Sequence, residues 1–132
     1  MAIALPTKRS AASVVNPREL IIYAAPKAGK TTSVSMLDDC LIIDLENGTD
    51  YVDCMAVKCN SLDDIRELHK TITDAGKPYK YLAIDTITKL EEFAEKYALE
   101  LYKKTPLGKN FTGASILNLP NGGGYHWLRI AF

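Results

Sequence analysis

The chain reads as an α/β protein with a mainly parallel sheet, and three observations carry that reading. Short apolar runs alternate along the chain with segments of helical period. The links between them are brief, as in crossover units where each strand feeds a helix that packs back on the sheet. The runs are apolar at consecutive positions, which suits strands covered on both faces better than half-wet ones. Right-handed crossovers then bring the strand ends, and the loops that follow them, to one edge.

Each element has its own warrant. Glu19 to Ala25 is a continuous apolar run and predicts the first strand. A turn at Pro26-Lys27-Ala28-Gly29 leads into a short helix from Gly29 or Lys30 to about Leu37, which Asp38-Asp39 ends. Cys40 to Leu45 predicts a second buried strand, closed by the turn signal Glu46-Asn47-Gly48. Tyr51 to Cys59 alternates enough for a third strand at a sheet edge. Asn60-Ser61 caps the next helix, with Asp64 placed to return a capping contact. Its apolar stripe is Leu62, Ile65, Leu68, Ile72 and Ala75, and Gly76 then Pro78 stop it. Tyr79 to Asp85 is the next strand. The helix after it carries Ile87, Leu90, Ala94, Tyr97 and Leu101 on one face and a solvated charge pattern on the rest. Residues 103–124 show no period, a length that marks a mobile or functional loop. Tyr125 to Phe132 opens a further helix.

The totals bound the function. With 132 residues the chain is the size of one domain, divided here into a flexible leader over 1–18 and a folded unit over 19–132. Sixteen basic and sixteen acidic side chains cancel, so any contact with nucleic acid must come from a local patch. The three cysteines, Cys40, Cys54 and Cys59, form no paired motif and suit a reducing cytoplasm as small apolar fillers. No apolar run approaches the roughly 20 residues that span a bilayer.

The chemistry centres on Pro26-Lys27-Ala28-Gly29-Lys30-Thr31-Thr32, between an apolar strand and a helix start. This is the closing part of a phosphate-binding P-loop, whose backbone wraps phosphates at a helix N-terminus. In that motif Lys30 reaches the β- and γ-phosphates, the Thr31 hydroxyl sits on Mg²⁺, and Thr32 can donate to the α-phosphate. Ala24 stands where the full pattern has its first glycine, a position where positive φ would be costly for alanine. A plain helix start that happens to read Gly-Lys-Thr is the blander alternative. Asp85 ends an apolar strand and has the form of a Walker B carboxylate, a second Mg²⁺ contact with Thr31; a helix-capping aspartate is its ordinary alternative. Glu46 follows another strand end and could orient or deprotonate an attacking water; a simple turn residue is the alternative. Asp44, two residues earlier, suits a structural partner.

These motifs together resemble the short RecA-like ATPases of phages and prophages. The resemblance rests on Tyr23 to Thr32, on Leu41 to Tyr51, on Tyr81 to Thr86 and on the glycine-then-aromatic segment Gly122 to Arg129. It implies a three-layer, RecA-like P-loop NTPase fold, with ATP and Mg²⁺ as ligands and a role in DNA recombination or single-strand annealing. It implies Lys30 and Thr31 as phosphate and metal residues, Asp85 as Walker B and Glu46 as the water-activating glutamate. The loop from Lys103 to Gly124 corresponds to a single-stranded DNA contact, with Lys103, Lys104 and Lys109 tracking phosphates and Phe111 stacking a base. In the family a further strand lies between the Walker B and P-loop strands. The fold implied here is therefore incomplete at the C-terminus, and self-association is one way to fill the gap. A nucleotide or small-molecule kinase and a non-catalytic nucleotide-binding module remain as alternatives. Strand order separates the first: a kinase places its P-loop strand directly beside the Walker B strand.

Overall fold

The computed structural model describes residues 19–132, so the leader expected over 1–18 lies outside the described residues. Three parallel strands form the sheet, in the order β2-β1-β3: β1 is Cys40–Asp44, β2 is Met55–Lys58 and β3 is Tyr81–Asp85. The helices are α1 (Lys30–Ser35), α2 (Leu62–Asp74), α3 (Ile87–Lys103) and α4 (Gly123–Ala131). The predicted α/β class with a parallel sheet holds, and β2 is the edge strand that the alternation of residues 51–59 implies.

Strand β1 occupies the centre, with apolar side chains at Leu41, Ile42 and Ile43 on both of its faces. All five of its residues are buried. Removing Leu41, Ile42 and Ile43 from water contributes about 1.5–3 kcal/mol each relative to leaving them exposed. Ile43 and Leu45 join Cys59 in a core that Ile65 and Leu68 of α2 and Leu90 and Phe93 of α3 complete. By the two-residue alternation, Cys40, Ile42 and Asp44 lie on the other face.

The helices start and stop where their termini can be satisfied. Ser61 accepts the N–H of Asp64 at 3.1 Å, and the Asp64 carboxylate accepts the N–H of Asn60 at 2.8 Å. The return contact thus falls one residue earlier than in the standard capping box. Gly76 and Lys77 take left-handed φ at the end of α2. The guanidinium of Arg66 lies 4.5 Å from the ring centre of Tyr97 and ties α2 to α3.

One expected strand is corrected. Glu19 to Ala25 is not a strand. Leu20, Ile21 and Tyr23 are 75%, 89% and 98% exposed, and among the described residues the run has no sheet partner. Apolar, β-branched residues favour extended backbone, but a strand exists only when a neighbour takes its N–H and C=O groups. The outer edge of β3 is also unpaired among the described residues, and the apolar run does not fill it.

The stretch 103–124 is more structured than its lack of period suggests. The Phe111 ring packs edge-on to Tyr102 at 5.4 Å, and Trp127 of α4 reaches the same tyrosine at 5.5 Å. Ser115 caps a short turn by accepting the N–H of Leu117, while the Asn118 side chain accepts the N–H of Ser115, each at 3.0 Å. Helix α4 begins at Gly123, before the expected Tyr125. It seats Gly124 so closely that a Cβ there would lie 2.4 Å from the carbonyl oxygen of Ile116. Only glycine admits that approach.

Candidate functional site

Three side-chain contacts assemble at the carboxyl ends of β1 and β3. Parallel pairing sets Asp44 opposite Asp85, so the residues that follow, Glu46 and Thr86, emerge from neighbouring tips. The N–H of Leu45 donates to the carbonyl of Asp85 at 2.8 Å and carries the pairing one step beyond the strands.

The phosphate-loop candidate sits on this rim. Lys27 (φ 63°) and Gly29 (φ 85°) take left-handed conformations, and the N–H of Ala28 closes the turn on the carbonyl of Ala25 at 3.2 Å. Ala24 is not among the residues with positive φ, so the alanine at the first glycine position carries no left-handed strain. The unfavourable conformation expected at Ala24 falls instead at Lys27. Lys30 folds its ammonium back onto the carbonyls of Ala24 and Ala25, both at 3.2 Å. That contact holds the loop to its own entry segment through a cation that can turn outward to an anion. Pro26, Lys27, Ala28 and Thr32 are exposed, while Gly29, Lys30 and Thr31 are half-buried.

Thr31 and Asp85 meet. The threonine hydroxyl donates to Asp85 Oδ2 at 2.5 Å across 54 residues of sequence. A neutral hydroxyl and a carboxylate converging on one point are hard oxygen donors. They fit a cation such as Mg²⁺, which takes one or two protein oxygens and keeps several waters. Glu46 is exposed and makes no hydrogen bond to the loop among the described residues; its Oε1 accepts the Thr86 hydroxyl at 2.7 Å.

Asp44 organises the turn that presents Glu46. Its carboxylate, 1% exposed, accepts the N–H of Glu46 and of Gly48 at 3.1 Å, the N–H of Thr49 at 3.0 Å and the Thr49 hydroxyl at 2.6 Å. Burial alone would raise this carboxyl, but the bonds from Thr49, Gly48 and Glu46 outweigh it and hold Asp44 below the ordinary aspartate range. The structural role expected for Asp44 is what the turn displays. The thiols behave as fillers: burial pushes Cys40, Cys54 and Cys59 up, away from the reactive thiolate form.

Sequence reasoning passed over Thr86 as a functional group. Its only signal is position, a hydroxyl next to a strand-end aspartate, and the partner 40 residues away becomes visible only once β1 and β3 pair.

A family model described as an AAA domain matches residues 16–115, most of the chain, and the chain belongs to that family. No curated protein and no solved structure gives a match. Membership points to nucleotide binding of the ATPase type and agrees with the α/β architecture around the loop. No helix among the described residues is long and apolar enough to cross a membrane.

Proposed function

We propose that this AAA-domain protein binds ATP on the loop Pro26 to Thr32 and hydrolyses it with Mg²⁺ held by Thr31 and Asp85. The observation that carries the reading is the Thr31–Asp85 hydrogen bond, which joins the loop to the second candidate metal residue. The backbone N–H groups of Lys27 and Gly29 cradle phosphate oxygens, and Lys30 leaves the carbonyls of Ala24 and Ala25 to meet the phosphate charge. Mg²⁺, when bound, supplies charge neutralisation at the phosphates. Glu46, held on the neighbouring strand tip, orients the attacking water and accepts its proton.

The biological setting in the proposal is DNA recombination or single-strand annealing of the phage type, in the cytoplasm. The exposed Lys103, Lys104 and Lys109 are the DNA-facing candidates. Phe111 is committed to packing against Tyr102, so base stacking is not assigned to it. Self-association is proposed through the open edge of β3, where Leu82 and Ile84 are exposed.

Calorimetric titration with ATP and Mg²⁺, followed by phosphate release with and without single-stranded DNA, tests the proposal. Saturable binding that Lys30→Ala weakens about tenfold or more, and turnover that Glu46→Gln cuts to a small residual rate, are expected. Binding without turnover would reduce the protein to a nucleotide-binding module. Turnover indifferent to DNA would remove the annealing role.

A further inference from the structure

We infer that Thr86 is a positioning residue for Glu46, holding the carboxylate by one oxygen so that the other faces the reacting water. The inference rests on the water-activating role proposed for Glu46. Its first support is the hydrogen bond from Thr86 Oγ1 to Glu46 Oε1 at 2.7 Å.

The second support is what the hydroxyl does not do. Thr86 is the N-cap of α3, with φ −123° and ψ 161°. A threonine there ordinarily turns its side-chain oxygen onto a free N–H of the first helical turn. In this helix no side-chain cap bond is made. The N–H of Lys89, a donor that such a cap would take, goes to the Thr86 carbonyl instead, at 3.1 Å. The hydroxyl is thus turned away from its usual local partner and toward the glutamate.

The surroundings make this contact a mount. The backbone of Glu46 is fixed from one side by its N–H bond to Asp44, and Leu45 is fixed to Asp85 from the other. What remains free is the glutamate side chain, which is exposed and would otherwise spread over several rotamers. Thr86 removes that freedom while occupying only Oε1. Because Thr86 follows Asp85, which receives the Thr31 hydroxyl, one dipeptide serves both the phosphate loop and the proposed base.

The test compares Thr86→Val, which keeps the branched shape and loses the hydroxyl, with Thr86→Ser, which keeps the hydroxyl. Thr86→Val should lower kcat for ATP about tenfold, with KM and the melting temperature essentially unchanged, because orientation and not binding or capping is lost. Thr86→Ser should recover most of the rate. In a Glu46→Gln background, Thr86→Val should have no further effect on the residual rate. If Thr86→Val folds poorly, Thr86→Ala removes the same hydroxyl with less bulk. Unchanged kcat in the hydroxyl-less variants, in a protein that Glu46→Gln inactivates, overturns the inference. So does an equal loss of rate in the Glu46→Gln background. Full turnover by Glu46→Gln alone would instead refute the role of Glu46, a separate failure.

Discussion

Leu20 to Ala25 and Cys40 to Leu45 are nearly interchangeable as sequence, and the fold treats them oppositely. Both are consecutive apolar runs, and each leads into a loop that carries a candidate site residue. The second lies between two parallel neighbours and is buried throughout β1. The first is largely exposed and without a sheet partner among the described residues. The difference teaches that hydrophobic patterning makes a segment capable of being a strand, while membership of a sheet is conferred by what lies alongside. It also divides the candidate site. Glu46 and Asp85 stand on paired strand tips, whereas the loop with Lys30 is attached through side chains: the ammonium on its own entry segment and the Thr31 hydroxyl on Asp85.

Amide hydrogen exchange would probe this contrast most directly. The N–H groups of residues 41–44 should exchange about a thousandfold or more slowly than those of 20–24, since paired core strands open only with near-global unfolding. Comparable protection in the two runs would mean that the first has a sheet partner after all, and the comparison would fail. The same contrast appears in mutational stability. Ile42→Ala should cost about 2–5 kcal/mol in urea denaturation, as a fully buried side chain leaves a cavity. Ile21→Ala should stay within about 0.5 kcal/mol, because its side chain is already wet.

Asp44→Ala should destabilise the protein by about 2–3 kcal/mol, because the turn from Glu46 to Thr49 loses its common acceptor. The sign of the pH effect follows from its lowered pKa. In the unfolded chain the carboxyl titrates near about 4, and in the folded chain it titrates lower. The stabilisation is therefore complete above the unfolded value and is lost as pH falls through the folded one. Wild type should lose this contribution in acid titrations of stability, and Asp44→Asn should show a shallower acid limb. The smallest effect on the fold belongs to Lys30→Ala, which should leave the urea midpoint nearly unchanged. It should nevertheless weaken ATP binding about tenfold or more, as the loss of a charge-assisted contact implies. A large stability loss instead would make Lys30 a structural fastener of the loop.

Much of this was legible along the chain. The burial of Cys40 to Ile43 follows from an uninterrupted apolar run, and the edge position of β2 follows from alternation. The capping of α2 by Ser61 and its end at Gly76 follow from local hydrogen-bond chemistry. So does the restriction of Asp44 to a structural role, since a carboxylate at a buried strand end must find donors nearby. These depend on contacts a few residues apart, or on hydrophobicity, which a sequence states outright.

Tertiary structure alone decided the rest. It left Leu20 to Ala25 outside the sheet, moved the left-handed strain of the loop from Ala24 to Lys27, and packed Phe111 against Tyr102. It also brought Thr31 to Asp85 and Thr86 to Glu46. Each of these depends on which distant segments become neighbours. The residues specify what each segment can accept, but the pairing of β1 with β3 determines which partner is within reach.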